Sequence, residues 1–257
     1  MILQNVTRIR AEIVSICGRL GRNPEEITLV GVTKYAAVAA INEAIAAGIS
    51  HVGENKVQEA LKKYPEINSP SLPPKADPPQ AETLPPGGGG KPACRTGRGG
   101  GITKHMIGHL QTNKVKAALE IFDVIQSVDS LKLAGVIEKE AVKLNRFVDI
   151  LLEVNTSGEV QKYGVTPDEA LSLIEQIAQF NHIQVLGLMT IGPATEDTNA
   201  IRGCFRKLKR LYLKSGEKFK GYKNIQMKYL SMGMSSDYEI ALEEGSNMVR
   251  IGSAIFK

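Results

Sequence analysis

At 257 residues the chain can bury a full core, either as one large α/β barrel or as two small domains. A net charge of +5 is modest, and no apolar run is long enough to span a bilayer. The three cysteines, Cys17, Cys94 and Cys204, are widely separated and form no C-x-x-C pair, which sets aside a disulfide framework and a zinc site; no metal ligand set is expected.

The chain opens on Val6, Ile9, Ile13, Ile16 and Leu20 at helical spacing, with charged residues between them. This predicts an amphipathic surface helix. The segment has neither the apolar core nor the small-residue cleavage site of a secretory signal, so a cytoplasmic location is expected. Eight short apolar segments follow, at 27–33, 50–54, 104–110, 122–128, 148–155, 185–191, 228–234 and 247–253, most of them leading through a turn into a helical stretch. Alternating strands and helices imply a parallel sheet, and a count of eight favours closure. The expected architecture is a single α/β domain over 1–257, a (β/α)8 TIM-type barrel, with the first helix as an extra element.

One segment breaks the rhythm. From 68 to 101 the chain is rich in Pro and Gly and almost free of large apolar residues, which predicts a disordered insertion. Its GGGGK is not a phosphate loop: Pro92 follows Lys91, Pro85 stands where the first glycine belongs, and no helix follows. The insertion joins a helix to the third strand, so it leaves from the N-terminal face of the barrel. Further on, much of the positive charge lies in 202–228. A nucleic-acid patch is one reading, but Phe205, Leu208 and Leu211 are spaced to face a core, and no nucleic-acid motif accompanies the charge. An amphipathic surface helix is the expectation, with no nucleic-acid or membrane partner.

Active sites of such barrels gather at the C-terminal ends of the strands. At those ends stand Lys34, Glu54 and Asn55, His109 and Gln111, Ser127, Asn155, Met189 and Thr190, Ser231 and Gly233, and Arg250 and Gly252. Lys34 ends the run ITLVGVTK, where desolvation and nearby cations would make its amine a nucleophile. LSMGMSSD (230–237) and VRIGSAIF (249–256) place glycines and hydroxyls at the last two strand ends, where barrels commonly bind phosphate. The same glycines would also serve simply as tight turns. Together with a lysine at the first strand, such a phosphate site describes how a barrel holds pyridoxal 5′-phosphate (PLP), with the aldehyde as a Schiff base on the amine. Arg250 would then donate to the pyridine nitrogen and keep the ring a poor electron sink.

The motifs GVTKY, HVGENKVQEA, HMIGHLQTNK, GLMTIG and LSMGMSSDYEIALEEGSNMVRIGSAIF stand in the order of the pyridoxal phosphate homeostasis proteins, which the chain resembles over nearly everything outside the insertion. The resemblance implies the barrel of the alanine racemase N-terminal domain, PLP fold type III. It places the cofactor on Lys34, the ring nitrogen at Arg250, the phosphate among Ser231, Gly233, Gly252 and Ser253, and Asn55 and Met189 beside the ring. Lys56 and Lys104 stand where that family often has aromatic residues, and the insertion is outside its usual pattern.

Racemases of this fold carry a second domain and dimerise, whereas this chain ends at Lys257, just past the eighth strand. Racemisation needs a base on each face of the substrate. The expectation is therefore a monomeric carrier with no catalytic residues and no robust turnover, which buffers PLP or delivers it to PLP-dependent apoenzymes. The alternatives are a PLP-dependent amino-acid racemase and a nucleic-acid or regulatory binder acting through 202–228.

Overall fold

A computed structural model describes residues 1–67 and 101–257. Its strands are β1 (Thr28–Val32), β2 (His51–Glu54), β3 (Thr103–Met106), β4 (Val124–Val128), β5 (Val148–Glu153), β6 (Ile183–Met189), β7 (Ile225–Ser231) and β8 (Met248–Ile251). They run parallel in sequence order, and β8 pairs back onto β1, so the sheet closes into a barrel. The expected (β/α)8 architecture is thus present among the described residues. The expected insertion at 68–101 lies outside them, apart from Gly101.

The strand boundaries differ from the sequence reading by up to four residues, and two of these differences have a local reason. The third segment, expected to run to residue 110, leaves the sheet after Met106. A Cβ at Gly108 would lie 2.4 Å from the Asn55 carbonyl oxygen, so the chain turns there across the end of β2 through a contact only glycine allows. The seventh strand begins at Ile225, earlier than 228, because polar Gln226 and Lys228 interrupt the apolar run while the backbone is already paired with β6.

Helices α2 (Val38–Ala46), α3 (Val57–Lys63), α4 (Val115–Ile121), α5 (Leu131–Lys143), α6 (Ala170–Ile177), α7 (Thr198–Lys218) and α8 (Tyr238–Glu243) alternate with the strands. A four-residue helix, α9 (Ser253–Phe256), follows β8. The leading helix, α1 (Ile2–Leu20), packs against α2, α8 and α9 and buries Ile2, Val6, Ile9, Ile13, Ile16 and Cys17. Leu20 is not part of that stripe. It is 40% exposed, because the left-handed Gly21 (φ 63°) ends the helix one residue later. Arg22 fastens this end, donating to the Leu242 and Ser246 carbonyls, both at 2.7 Å.

In α7, Asp197 caps the first turn by accepting from the Asn199 and Ala200 amides, and Phe205, Leu208 and Leu211 are buried as expected. Its basic face is partly neutralised within the fold: Arg202 pairs with Glu243 and Glu244, and Arg206 pairs with Glu244.

The buried apolar residues separate into two bodies. The larger is an aliphatic layer between strands and helices; the smaller is confined to Val30, Leu151, Leu186, Met189 and Met248, packed with Tyr229. Barrel interiors are ordinarily filled by branched aliphatic layers. Here much of the lumen is polar instead, with His105, Gln126, Ser231 and Arg250 all buried inside it. Ile67 and Ile102 are buried on either side of the undescribed segment, one after α3 and the other just before β3, so both junctions lie at the N-terminal end of the strands.

Candidate functional site

A cavity of about 530 Å³ opens at the C-terminal ends of the strands. Five of the sequence-predicted residues line it together: Lys34, Asn55, Arg250, Gly252 and Ser253. Lys34 follows β1 and is exposed at the rim, its Nζ 5.0 Å above the Tyr35 ring centroid. The desolvated amine expected from the sequence is therefore not what the structure shows. Tyr35 is itself 91% exposed and offers the lysine one aromatic face without closing over it.

The backbone beneath Lys34 is held by a buried charge cluster. Glu54, 1% exposed at the tip of β2, accepts from the Thr33 hydroxyl at 3.1 Å, the Asn55 amide at 2.9 Å and Lys63 Nζ at 3.2 Å. Lys63 also donates to the Thr33 carbonyl at 3.1 Å. One ion pair thus fixes the residue before Lys34 and the amide of Asn55, setting the two cavity residues relative to each other.

On the far wall, Arg250 is 3% exposed, with Nη1 donating to Ser231 Oγ at 2.7 Å and Nη2 to the Thr190 carbonyl at 2.8 Å. Burial lowers its pKa to about 10, against the pull of Glu153 and Asp237; it remains a cation at neutral pH. Glu153, buried at the end of β5, is raised to about 7 by burial and by the charge of Asp129, with Arg250 acting in the opposite direction. A guanidinium carries five N–H groups, and those not engaged by Ser231 and Thr190 are the ones available to the cavity that Arg250 lines.

The remaining predicted residues are not brought to the cavity wall. Ser231 is fully buried and holds Arg250. Gly233, with φ 98°, makes the turn beneath α8, where a Cβ would meet that of Ala241 at 2.6 Å. Met189 is packed in the small inner apolar cluster. Among the other strand-tip residues, His109 stacks on Tyr163 at 3.8 Å and lies 3.4 Å from Asp129, while the Asn155 side chain ties its own loop to the Glu159 and Lys162 carbonyls.

Sequence reasoning missed Met234, Ser235 and Ser236, which line the cavity from the turn after β7. Ser235 is the informative one, because its Oγ accepts from the Gly252 and Ala254 amides, both at 3.3 Å. Two backbone donors thus converge on one oxygen beside Gly252 and Ser253. The signal was present in SMGMSSD as paired hydroxyls just before a helix. Tyr35, Ile107, Ile191 and Phe256 complete an apolar wall. No group of three or more metal-ligating side chains occurs among the described residues.

Behind Arg250 the polar lumen continues downward. Ser231 Oγ donates to Gln126 Oε1 at 2.7 Å, Gln126 Nε2 lies 2.9 Å from His105 Nδ1, and His105 Nε2 lies 2.9 Å from His51 Nδ1. Burial keeps both imidazoles neutral: His51 is lowered to about 4, with help from Lys228, and His105 is lowered well below the ordinary range, with help from His51. An unfolded imidazole titrates near 6.5, so between the two values the unfolded chain binds the proton that the folded chain refuses. The His51 contribution is therefore complete above about pH 6.5 and is lost as pH falls toward 4. Glu153, raised to about 7, and Asp149, raised to about 6 chiefly by burial, act with the opposite sign and mask it in the wild-type curve. Relative to wild type, His51→Gln should gain about 2 kcal/mol on going from pH 7 to pH 5, read as the difference between urea-unfolding free energies. An equal difference at both pH values would contradict this.

The alanine racemase N-terminal domain family model matches residues 8–257. A pyridoxal phosphate homeostasis protein of Aquifex aeolicus is 35% identical over 253 residues, covering 98% of this chain and 96% of the relative. The structure of PipY from Synechococcus elongatus with PLP bound is similar at a TM-score of 0.77 and 29% identity, covering 100% of both chains. An alanine racemase of Clostridium difficile shares the fold at a TM-score of 0.67 and 16% identity, over 98% of this chain and 56% of the racemase. With matches that run nearly end to end, the chain belongs to the pyridoxal phosphate homeostasis protein family, built on the barrel of the alanine racemase N-terminal domain.

Proposed function

We propose that this protein binds pyridoxal 5′-phosphate reversibly through Lys34 and serves PLP homeostasis in the cytoplasm as a monomeric carrier, buffering the cofactor or handing it to PLP-dependent apoenzymes. The observation that carries this reading is the meeting of Lys34 and Arg250 on one cavity, together with the Ser235 turn. The donor set fits the cofactor. Lys34 offers an amine with no hydrogen-bond or ion-pair partner among the described residues, Ser235 offers a hydroxyl proton on an oxygen held by the Gly252 and Ala254 amides, and Arg250 offers fixed N–H groups. The cofactor supplies an aldehyde that condenses with the lysine amine with loss of water, a reversible linkage suited to delivery.

In this reading Ser235, Gly252 and Ser253 bind the phosphate, and Asn55 and the apolar wall orient the ring. Ser231, Gly233 and Met189 support the site from beneath: one fixes Arg250, one shapes the phosphate turn, and one packs the floor. Arg250 donates to the ring nitrogen and keeps a proton off it, which weakens the ring as an electron sink and disfavours turnover. His109, at the tip of the third strand, is engaged outside the cavity wall, stacked on Tyr163 beside Asp129. The pairing of α7 arginines with Glu243 and Glu244 at the end of α8 likewise argues against a nucleic-acid role for that face.

The test is to load the protein with PLP, reduce it with borohydride and map the modified peptide. A pyridoxyl group on Lys34 is expected; an unmodified Lys34, or label on another lysine, would overturn the proposal.

A further inference from the structure

The polar chain in the lumen has a direction. Arg250 can only donate, so Ser231 Oγ accepts at 2.7 Å and gives its own proton to Gln126 Oε1, also at 2.7 Å. With its oxygen committed to Ser231, the Gln126 amide must donate from Nε2, to His105 Nδ1 at 2.9 Å and to Met248 Sδ at 3.3 Å. His105 then carries its proton on Nε2 and donates to His51 Nδ1 at 2.9 Å. The opposite amide orientation would direct Gln126 N–H groups at a Ser231 oxygen that already accepts from Arg250, leaving that hydroxyl proton without a described acceptor. One arrangement pairs Ser231, Gln126 and His105 throughout, and it crosses the lumen from β4 to β7 and β8.

We propose that Gln126 is a positioning residue for Arg250: its carbonyl orients the Ser231 hydroxyl, which fixes the guanidinium so that its free N–H groups face the cavity in a set direction. The inference rests on the reading that Arg250 meets the ring nitrogen of PLP, and it extends that reading to a residue outside the cavity. Gln126 is fully buried and does not line the cavity, so its effect on the ligand passes through Ser231. A serine hydroxyl has one proton and rotates freely. Without the Gln126 acceptor its proton has no partner, so the hydroxyl rotates to find another and holds Arg250 less firmly, which leaves the Thr190 carbonyl as the guanidinium's one fixed partner.

Gln126→Met keeps a side chain of similar length and removes the amide; Ser231→Ala removes the next link and is the smaller change. Each should still be labelled at Lys34 by borohydride, bind PLP about tenfold more weakly, and shift the visible band of the bound cofactor and its pH profile. The double variant should be no weaker than the weaker single one, because both break one path. A second readout needs no cofactor. In the ligand-free protein the Arg250 side-chain N–H resonances should be distinct in wild type and averaged in either variant, with His105 protonated on Nε2 in wild type only. Wild-type affinity and spectrum in both variants, additive losses in the double variant, or unchanged arginine resonances would overturn the proposal. Absence of label on wild-type Lys34 would instead sink the cofactor reading, while the ligand-free resonances would still decide the role of Gln126.

Discussion

Replacement of Lys34 by alanine is expected to abolish borohydride-trapped label and to weaken PLP binding at least about 100-fold, which corresponds to about 2.8 kcal/mol. The magnitude follows from what remains. Arg250, the Ser235 turn and the apolar wall are anchored independently of Lys34, so non-covalent contacts persist while the covalent link is lost. Stability should hardly change, because the Lys34 side chain is exposed and makes no ion pair among the described residues. The measurement is a PLP titration followed by absorbance, paired with thermal unfolding of the ligand-free protein. Undiminished affinity would mean that the cofactor is held without Lys34.

The second large effect should come from a residue that never touches the ligand. Lys63→Met removes the cation that neutralises Glu54, leaving a carboxylate 1% exposed with only the Thr33 hydroxyl and the Asn55 amide for partners. Breaking one half of a buried ion pair costs about 3–5 kcal/mol, a large share of the about 5–15 kcal/mol that holds a typical domain together. Because the same carboxylate fixes Thr33 and Asn55, PLP affinity should fall as well. Adding Glu54→Gln to Lys63→Met removes the stranded charge and should recover part of the stability, and urea unfolding of wild type, each single variant and the double variant measures the coupling. If Lys63→Met unfolds at the wild-type midpoint, the pair is not a structural clamp.

The fold was legible because eight apolar runs, each closed by a turn, leave few topologies for a parallel sheet. Lys34 was legible because it interrupts such a run at its C-terminal end, and Arg250 because it is the one charge within VRIGSAIF. What the sequence concealed is the polar lumen. His51, His105 and Gln126 occupy alternate strand positions that look the same as solvent-facing ones, since a period of two does not tell which face a polar residue takes. The Lys63–Glu54 pair was hidden for another reason: its partners meet only once α3 folds back over the tips of β1 and β2. The resemblance placed Ser231 among the residues around the phosphate, and in the structure its side chain points inward to Gln126. The hydroxyl that does receive backbone amides belongs to Ser235, four residues later in the same motif.

Ile67 and Ile102 have a consequence for how this barrel tolerates change in length. Both are buried, so the barrel itself fixes the two ends between which the 68–100 segment must run. Once the ends are fixed, closure entropy grows only logarithmically, at about 0.6 kcal/mol for each doubling of length. A flexible connection between two such fixed ends could lengthen or shorten at little thermodynamic cost, and both ends stand away from the cavity. One rim carries the buried Glu54–Lys63 pair and the cavity residues it positions, whereas the other is where the buried Ile67 and Ile102 would let a change in length pass without reaching them.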